Sequence, residues 1–400
     1  MKRGPIFTPF KTAILDHHAS TPLFDGSVTQ TLNRADFDDA EKEISHWDGY
    51  AETPLIDLSG LAGRLGIGDL RYKHEGPRFG LGSFKALGGA YAVLRTVQRE
   101  LSKSIGKLAD PVDIRSGLYA EQTKAITVIS ATDGNHGRSV AWGAAQFHTN
   151  CRIYIHAEVS EHRADVMRNL GAEVIRVDGD YDATVAQTRA DAEKHGWLIV
   201  SDTSWPGYTQ PPLDVMAGYG VMARELVQSY TTPPTHVFLQ GGVGGLAAAV
   251  TAVFHQEWGH DAPRVVIVEP ELAPCLFASA RANEATSVEI SEETIMAGLS
   301  CGEPSELAWS VLADAASDFV TIPENIVGPM VRILANGACG DGPLEAGESG
   351  VAGLCAVVAV ANQPALQRSL RLDAKSRIVV IGSEGITDPN VYAQIIEGEI

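Results

Sequence analysis

Lys85 is the residue whose surroundings point most directly to chemistry. Phe79 to Gly89 reads Phe-Gly-Leu-Gly-Ser-Phe-Lys-Ala-Leu-Gly-Gly, a lysine behind two glycines, a serine and an aromatic. Lysine is rarely buried without a partner. In apolar surroundings its amine is suited to Schiff-base formation. Taken alone, the stretch reads equally well as a loop whose lysine reaches solvent. A second loop, Thr132-Asp133-Gly134-Asn135-His136-Gly137, places a hydroxyl, a carboxylate, an amide and an imidazole within five positions. Helix capping accounts for one or two of these polar groups but not for all four. A third, Gly241-Gly242-Val243-Gly244-Gly245, lies between an apolar run and a stretch of small helix formers. Backbone amides at such a turn bind phosphate without any basic residue. Gly242, Gly244 and Ala247 also fit a dinucleotide fingerprint, with Glu269 closing the next strand. A nicotinamide-dependent oxidoreductase therefore stays open at this point, beside a plain tight turn.

The elements that position these loops alternate. Leu70 to His74 reads as a strand and 75–83 as the loop delivering Lys85, followed by a helix near 86–101. Short apolar strands are expected at 125–130, 152–156, 173–177 and 197–201, with helices at 137–147, 161–170 and 181–195 between them. A long helix over 214–230 precedes strands at 236–240 and 265–269. Residues 270–330 read as less regular, and Arg377 to Gly382 forms the last strand, followed by Ser383. Continuous apolar strands separated by helices imply parallel sheets covered on both faces. The pattern divides into a large domain, 1–96 with 221–400, and a small, mobile domain, 97–220.

Bulk composition narrows the partners. The 400 residues carry 31 Lys+Arg against 50 Asp+Glu, a net charge of −19. That balance disfavours nucleic acid or an anionic membrane as a general partner. No apolar run approaches the ~20 residues of a membrane-spanning helix, and no signal peptide is expected, so the expected location is the cytoplasm. Five scattered cysteines show neither a zinc ribbon nor a disulfide framework. His17-His18 lacks further ligands at useful spacing, so no metal is expected.

Four features in one order carry a family resemblance: Ser83-Phe84-Lys85, then Gly134-Asn135-His136, then the glycine turn, then a final strand with Ser383 at its end. The chain resembles fold-type II pyridoxal-phosphate enzymes, the group of threonine dehydratase and the tryptophan synthase β chain, from about Thr53 onward. Within that group it is most similar to the branch that eliminates ammonia from 2,3-diaminopropionate. The supporting residues are Lys85-x-Leu87-Gly88-Gly89, the run Ala131 to Gly137, Asp202-Thr203-x-Trp205-x-Gly207-Tyr208, and Ser383-Glu384-Gly385-x-Thr387-Asp388-Pro389. Asp133 stands where threonine dehydratases carry a small hydroxyl residue. Ile386 departs from the pattern, which expects a small or acidic residue.

The resemblance implies an α/β fold of two open, twisted, mostly parallel sheets flanked by helices, with the active site between a large and a small domain. It implies pyridoxal 5'-phosphate carried on Lys85 beside Phe84. The phosphate would lie in Gly241, Gly242, Val243, Gly244 and Gly245, the ring oxygen at Asn135 and the ring nitrogen at Ser383. Thr132, Asp133, Gly134, His136 and Asp202 would meet the substrate, although His136 reads first as a packing group beneath the loop. Lys85, Asp133 and Asp202 would be catalytic, with Asp133 serving the opposite enantiomer. A strand-end cap is an equal reading of Asp202. Cys275 and Cys301 occupy the positions of a family cysteine pair, so a reversible disulfide is implied beside free thiols. A homodimer is implied too. Serine or threonine dehydration and β-replacement remain alternatives on the same fold.

Overall fold

The computed structural model describes residues 5–22, 28–132 and 134–400; Asp133 lies outside the described residues. The chain groups into two compact units. The first comprises Met1–Arg34, Ala51–Ser83 and Met222–Ile400, and the second Ala35–Tyr50 and Phe84–Val221. The expected boundary at residues 96 and 97 falls inside one continuous helix, Lys85–Ile105, that belongs whole to the second unit.

In chain order the strands are β1 (His17–Ala19), β2 (Leu55–Asp57), β3 (Asp69–His74), β4 (Thr127–Ala131), β5 (Asn150–Ile155), β6 (Glu173–Arg176), β7 (Leu198–Ile199), β8 (His236–Gln240), β9 (Arg264–Pro270), β10 (Asp318–Ile322) and β11 (Arg377–Gly382). The first unit holds a seven-stranded sheet in the order β1-β10-β9-β8-β11-β3-β2. Its inner pairs are parallel, and the short edge strands β1 and β2 pair antiparallel with β10 and β3. Every residue of β8 and of β10 is buried. Such burial along the whole strand follows from cover on both faces, because each face packs against helices. The helix Ala352–Asn362 is buried from Ala352 to Ala361 and forms part of that cover.

β10 lies in the segment that reads as irregular. It opens on Asp318, whose fully buried carboxylate accepts hydrogen bonds from Arg264 Nε (2.5 Å) and Nη2 (2.9 Å). His17 Nε2 lies 2.8 Å from the same carboxylate, so this histidine is engaged at the sheet edge. A buried charge at a strand start hides the strand from an apolar pattern until its distant partners are in place.

The second unit holds four parallel strands in the order β6-β5-β4-β7. Helix Lys85–Ile105 packs against helix Asn135–Gln146 through small residues. A Cβ on Gly143 would lie 2.7 Å from Ala90 Cα, and one on Gly89 would lie 2.6 Å from Ser139 Oγ. That approach lets the Ser139 hydroxyl accept from the Ala90 amide at 3.0 Å. The Lys85 helix ends at Gly106, in the left-handed region with φ +71, whose N–H returns to Ser102 O.

Candidate active site

Site residues of the first unit collect at one sheet edge. β11 lies between β8 and β3, parallel to both, with Val380 opposite Phe238 and Gly382 opposite His74. All three strands end together, so Gly241, Ser383 and the loop 75–83 share the carboxyl edge, where open α/β sheets bind ligands. Ser383 is buried. Beyond it Gly385 donates to Gly82 O at 2.9 Å, while Ser83 forms a bridge with Glu384.

The glycine turn runs from β8 into the 14-residue helix Gly245–Trp258. Gly242 and Gly244 have φ of +60 and +94, the left-handed region that side chains disfavour. A Cβ on Gly241 would lie 2.5 Å from Glu269 Cγ, and one on Gly244 3.0 Å from Ala308 Cβ. Gly241 donates to Val268 O (2.9 Å) and Gly244 to Gly241 O (3.2 Å). The helix start adds first-turn amides, which no intrahelical carbonyl reaches, and its positive dipole end.

Glu269 lies beneath this turn. It is 1% exposed and accepts from the amides of Leu276 (2.9 Å) and Phe277 (2.7 Å) at the start of helix Cys275–Ala282. Burial pushes its carboxyl up to about 8, opposed by those two amides. A ribose-binding acid must face its ligand, whereas this one is spent on a helix start. The dinucleotide reading of the turn therefore fails. Cys275 is buried, and its thiol donates to Gly242 O at 3.5 Å. A Cβ on Gly242 would come within 3.6 Å of Cys301 Sγ. Both cysteines are free thiols in the structure.

In the second unit, β4 and β7 run parallel with Ile129 opposite Ile199, so Thr132 and Asp202 follow at the same sheet edge. Thr132 Oγ1 accepts from the amides of Gly134 and Gly137, both at 3.1 Å, at the start of helix Asn135–Gln146. Its own hydroxyl hydrogen is what it can offer a ligand. Asn135 is half-buried in the first helical turn.

Lys85 Nζ donates to Asp202 Oδ2 at 2.5 Å. The two side chains keep 19% and 14% exposure, so a small molecule can reach them. Burial alone would raise the Asp202 carboxyl. The charge of Lys85 and the hydrogen bond from it outweigh burial and hold the group well below the usual carboxylate range. His136 Nε2 lies 3.0 Å from Val200 O, and Nδ1 stands 3.8 Å from Asp202 Oδ2. Burial lowers the imidazole, so its neutral form is favoured. The Phe84 ring is buried and lies 4.6 Å from that of Tyr219, tilted by 55°.

The motifs do not reveal a buried charge cluster that anchors the loop 75–83. Arg78, 1% exposed, donates to Glu75 Oε1 and Oε2 (2.8 and 2.9 Å) and to Glu225 Oε1 and Oε2 (both 2.8 Å). Lys73 Nζ reaches Glu225 Oε2 at 2.5 Å and Thr53 O at 2.8 Å, and the Thr53 hydroxyl donates to Glu75. The signal available in sequence is charged residues inside otherwise apolar segments.

These groups fit one cofactor type. A lysine amine can bind an aldehyde, a glycine turn at a helix start can hold a phosphate, and a buried serine hydroxyl can meet a ring nitrogen without charging it. The chain belongs to the pyridoxal-phosphate-dependent enzymes, whose family model matches residues 46–384. It is 35% identical over 384 residues to the diaminopropionate ammonia-lyase of Escherichia coli K12, covering 94% of this chain and 95% of that protein. The crystal structure of the Escherichia coli diaminopropionate ammonia-lyase in complex with an aminoacrylate-PLP azomethine reaction intermediate is similar over 97% of this chain and 98% of that one, with a TM-score of 0.87 and 34% identity. A structure of that enzyme in complex with D-serine gives a TM-score of 0.86 at 34% identity, with the same coverage of each chain. Among the described residues no helix is long and apolar enough to cross a membrane.

Proposed function

We infer that this protein is a pyridoxal-phosphate-dependent carbon–nitrogen lyase that converts 2,3-diaminopropionate to pyruvate and ammonia. The observation that carries the substrate choice is the Lys85–Asp202 pair. A leaving ammonium is a cation, and Asp202 is held as a carboxylate well below neutral pH. Loss of a hydroxyl, as in a dehydratase, gives no reason for a carboxylate kept so firmly ionised.

Lys85 would carry the cofactor beside Phe84, with Gly241 to Gly245 around the phosphate, Asn135 at the ring oxygen and Ser383 at the ring nitrogen. The bound cofactor supplies an electron sink for the pair left at Cα when its proton departs. Thr132, Gly134 and the neighbouring amides would hold the substrate carboxylate, with His136 packed beneath them. Lys85 Nζ would take the Cα proton on one face. Asp202 would orient that amine and hold the second ammonium as it leaves. Asp133 would take the proton on the opposite face; action on a second enantiomer is supported by the complex of the Escherichia coli enzyme with D-serine. The three-carbon enamine set free adds water to give pyruvate and a second ammonia. We place the enzyme in the cytoplasm as a homodimer, which sedimentation at twice the chain mass would support.

Purified protein should absorb visible light, lose that band on borohydride reduction, and yield an adduct mapped to Lys85. It should turn over 2,3-diaminopropionate in preference to serine and threonine. A colourless protein, or one that prefers serine, would sink the assignment. Asp133→Asn should reduce turnover of one enantiomer about a hundredfold or more while largely sparing the other; equal losses would remove the role given to Asp133.

A further inference from the structure

Among the described residues, His136 Nδ1 and the Tyr219 hydroxyl are buried polar atoms that make no hydrogen bond. The first belongs to the loop already described. Tyr219 is a different case. It lies on helix Gln210–Ser229 and is 1% exposed. Its ring rests on Gly88 so closely that a Cβ there would lie 2.4 Å from Cε1. Gly88 stands three positions after Lys85, on the helix face that Lys85 shares. The charges of Lys85 and Asp202 both act on the hydroxyl, and burial pushes it well above the ordinary phenol range, so it remains a neutral O–H donor.

A buried hydroxyl without a partner is destabilising, and phenylalanine would fill the same space without that cost. A pairing formed in another state of the site would account for the oxygen. Here Lys85 donates to Asp202 with an ammonium. When Nζ condenses with the aldehyde carbon of the cofactor, a carbon–nitrogen double bond replaces the carbon–oxygen one and a water leaves. Nζ then no longer offers an ammonium to Asp202. The carboxylate, on the loop after β7, needs another donor.

We propose that Tyr219 is a positioning residue that donates its hydroxyl to Asp202 when Lys85 is bonded to the cofactor, and yields it back to Lys85 when the amine is free. This rests on the reading of Lys85 as the cofactor-bearing lysine. Lys85 and Tyr219 would thus hold one carboxylate in turn, keeping it fixed for the leaving ammonium through the cycle.

Tyr219→Phe tests the proposal by cofactor affinity and by melting of the cofactor-free and loaded forms. The variant should melt no lower than wild type without cofactor, yet bind pyridoxal phosphate about tenfold more weakly, the range expected for one hydrogen bond to a charged group. In an Asp202→Ala background, which removes the acceptor, the same substitution should leave affinity unchanged. Equal affinity in the single variant overturns the proposal. So does equal destabilisation of both forms, which would mark a packing role. Borohydride labelling at Lys85 is read separately in wild type, and its failure overturns the cofactor assignment beneath the proposal.

Discussion

Glu269 and Asp202 are carboxyls in closed surroundings with opposite fates, decided by the partner each finds. Asp202 has an ammonium at 2.5 Å and stays ionised. Its contribution to stability is present above the unfolded carboxylate range and is lost only in acid. Glu269 has two amides and a thiol but no cation, and burial raises it from 4.5 to about 8. Between those values the folded chain holds a proton that the unfolded chain has released. Stability should therefore fall as pH rises through that window, by at most about 1.4 kcal/mol per pH unit, and level off above it. Glu269→Gln, which cannot ionise, should flatten the slope; unfolding free energies at pH 5, 6, 7 and 8 for both proteins check this. A wild-type stability that does not decline relative to the variant would show that the amides keep Glu269 charged.

The glycine turn shows why an element in an acidic protein can bind an anion. Its donors are amides fixed by backbone geometry, so the net charge of −19 is not the deciding quantity. The geometry is available only to glycine at Gly244, where φ is +94 and a side chain would press on Ala308. Gly244→Ala should add about 1–2 kcal/mol of left-handed strain, besides that crowding. Most of it should appear as weaker cofactor binding, about tenfold, with the secondary structure intact; equilibrium dialysis and circular dichroism would measure both. Unchanged affinity would mean that the turn is only a chain reversal. Gly88 and Gly89 follow the same logic on the Lys85 helix, where they admit Tyr219 and Ser139.

Stability at the scale of the larger unit depends on pairing done out of sight. Lys73, Arg78, Glu75 and Glu225 bring two positive and two negative charges into near-complete burial. Such a cluster adds little over apolar packing, but breaking it is expensive. Glu225→Gln should leave Arg78 and Lys73 short of a carboxylate and cost about 3–5 kcal/mol, read as a lower urea midpoint of the cofactor-free protein. A change below about 1 kcal/mol, the scale of an exposed ion pair, would mean that water reaches the cluster.

The sequence by itself determined what depends on near neighbours. Strand–helix alternation and the strands β8 and β11 follow from residue spacing, because backbone propensity and side-chain periodicity act over a few positions. The three loops were legible for the same reason, each being a short run at the end of a strand. Only the tertiary structure decided what those residues meet. Lys85 finds Asp202 117 positions along the chain, and Arg78 finds Glu225 after 147. Glu269 matched a ribose-binding acid by position and became a helix cap by contact, and β10 emerged only once Arg264 was paired with Asp318. Partner identity, burial and charge state are properties of packed neighbours, and packing between distant segments leaves no fixed spacing in the chain.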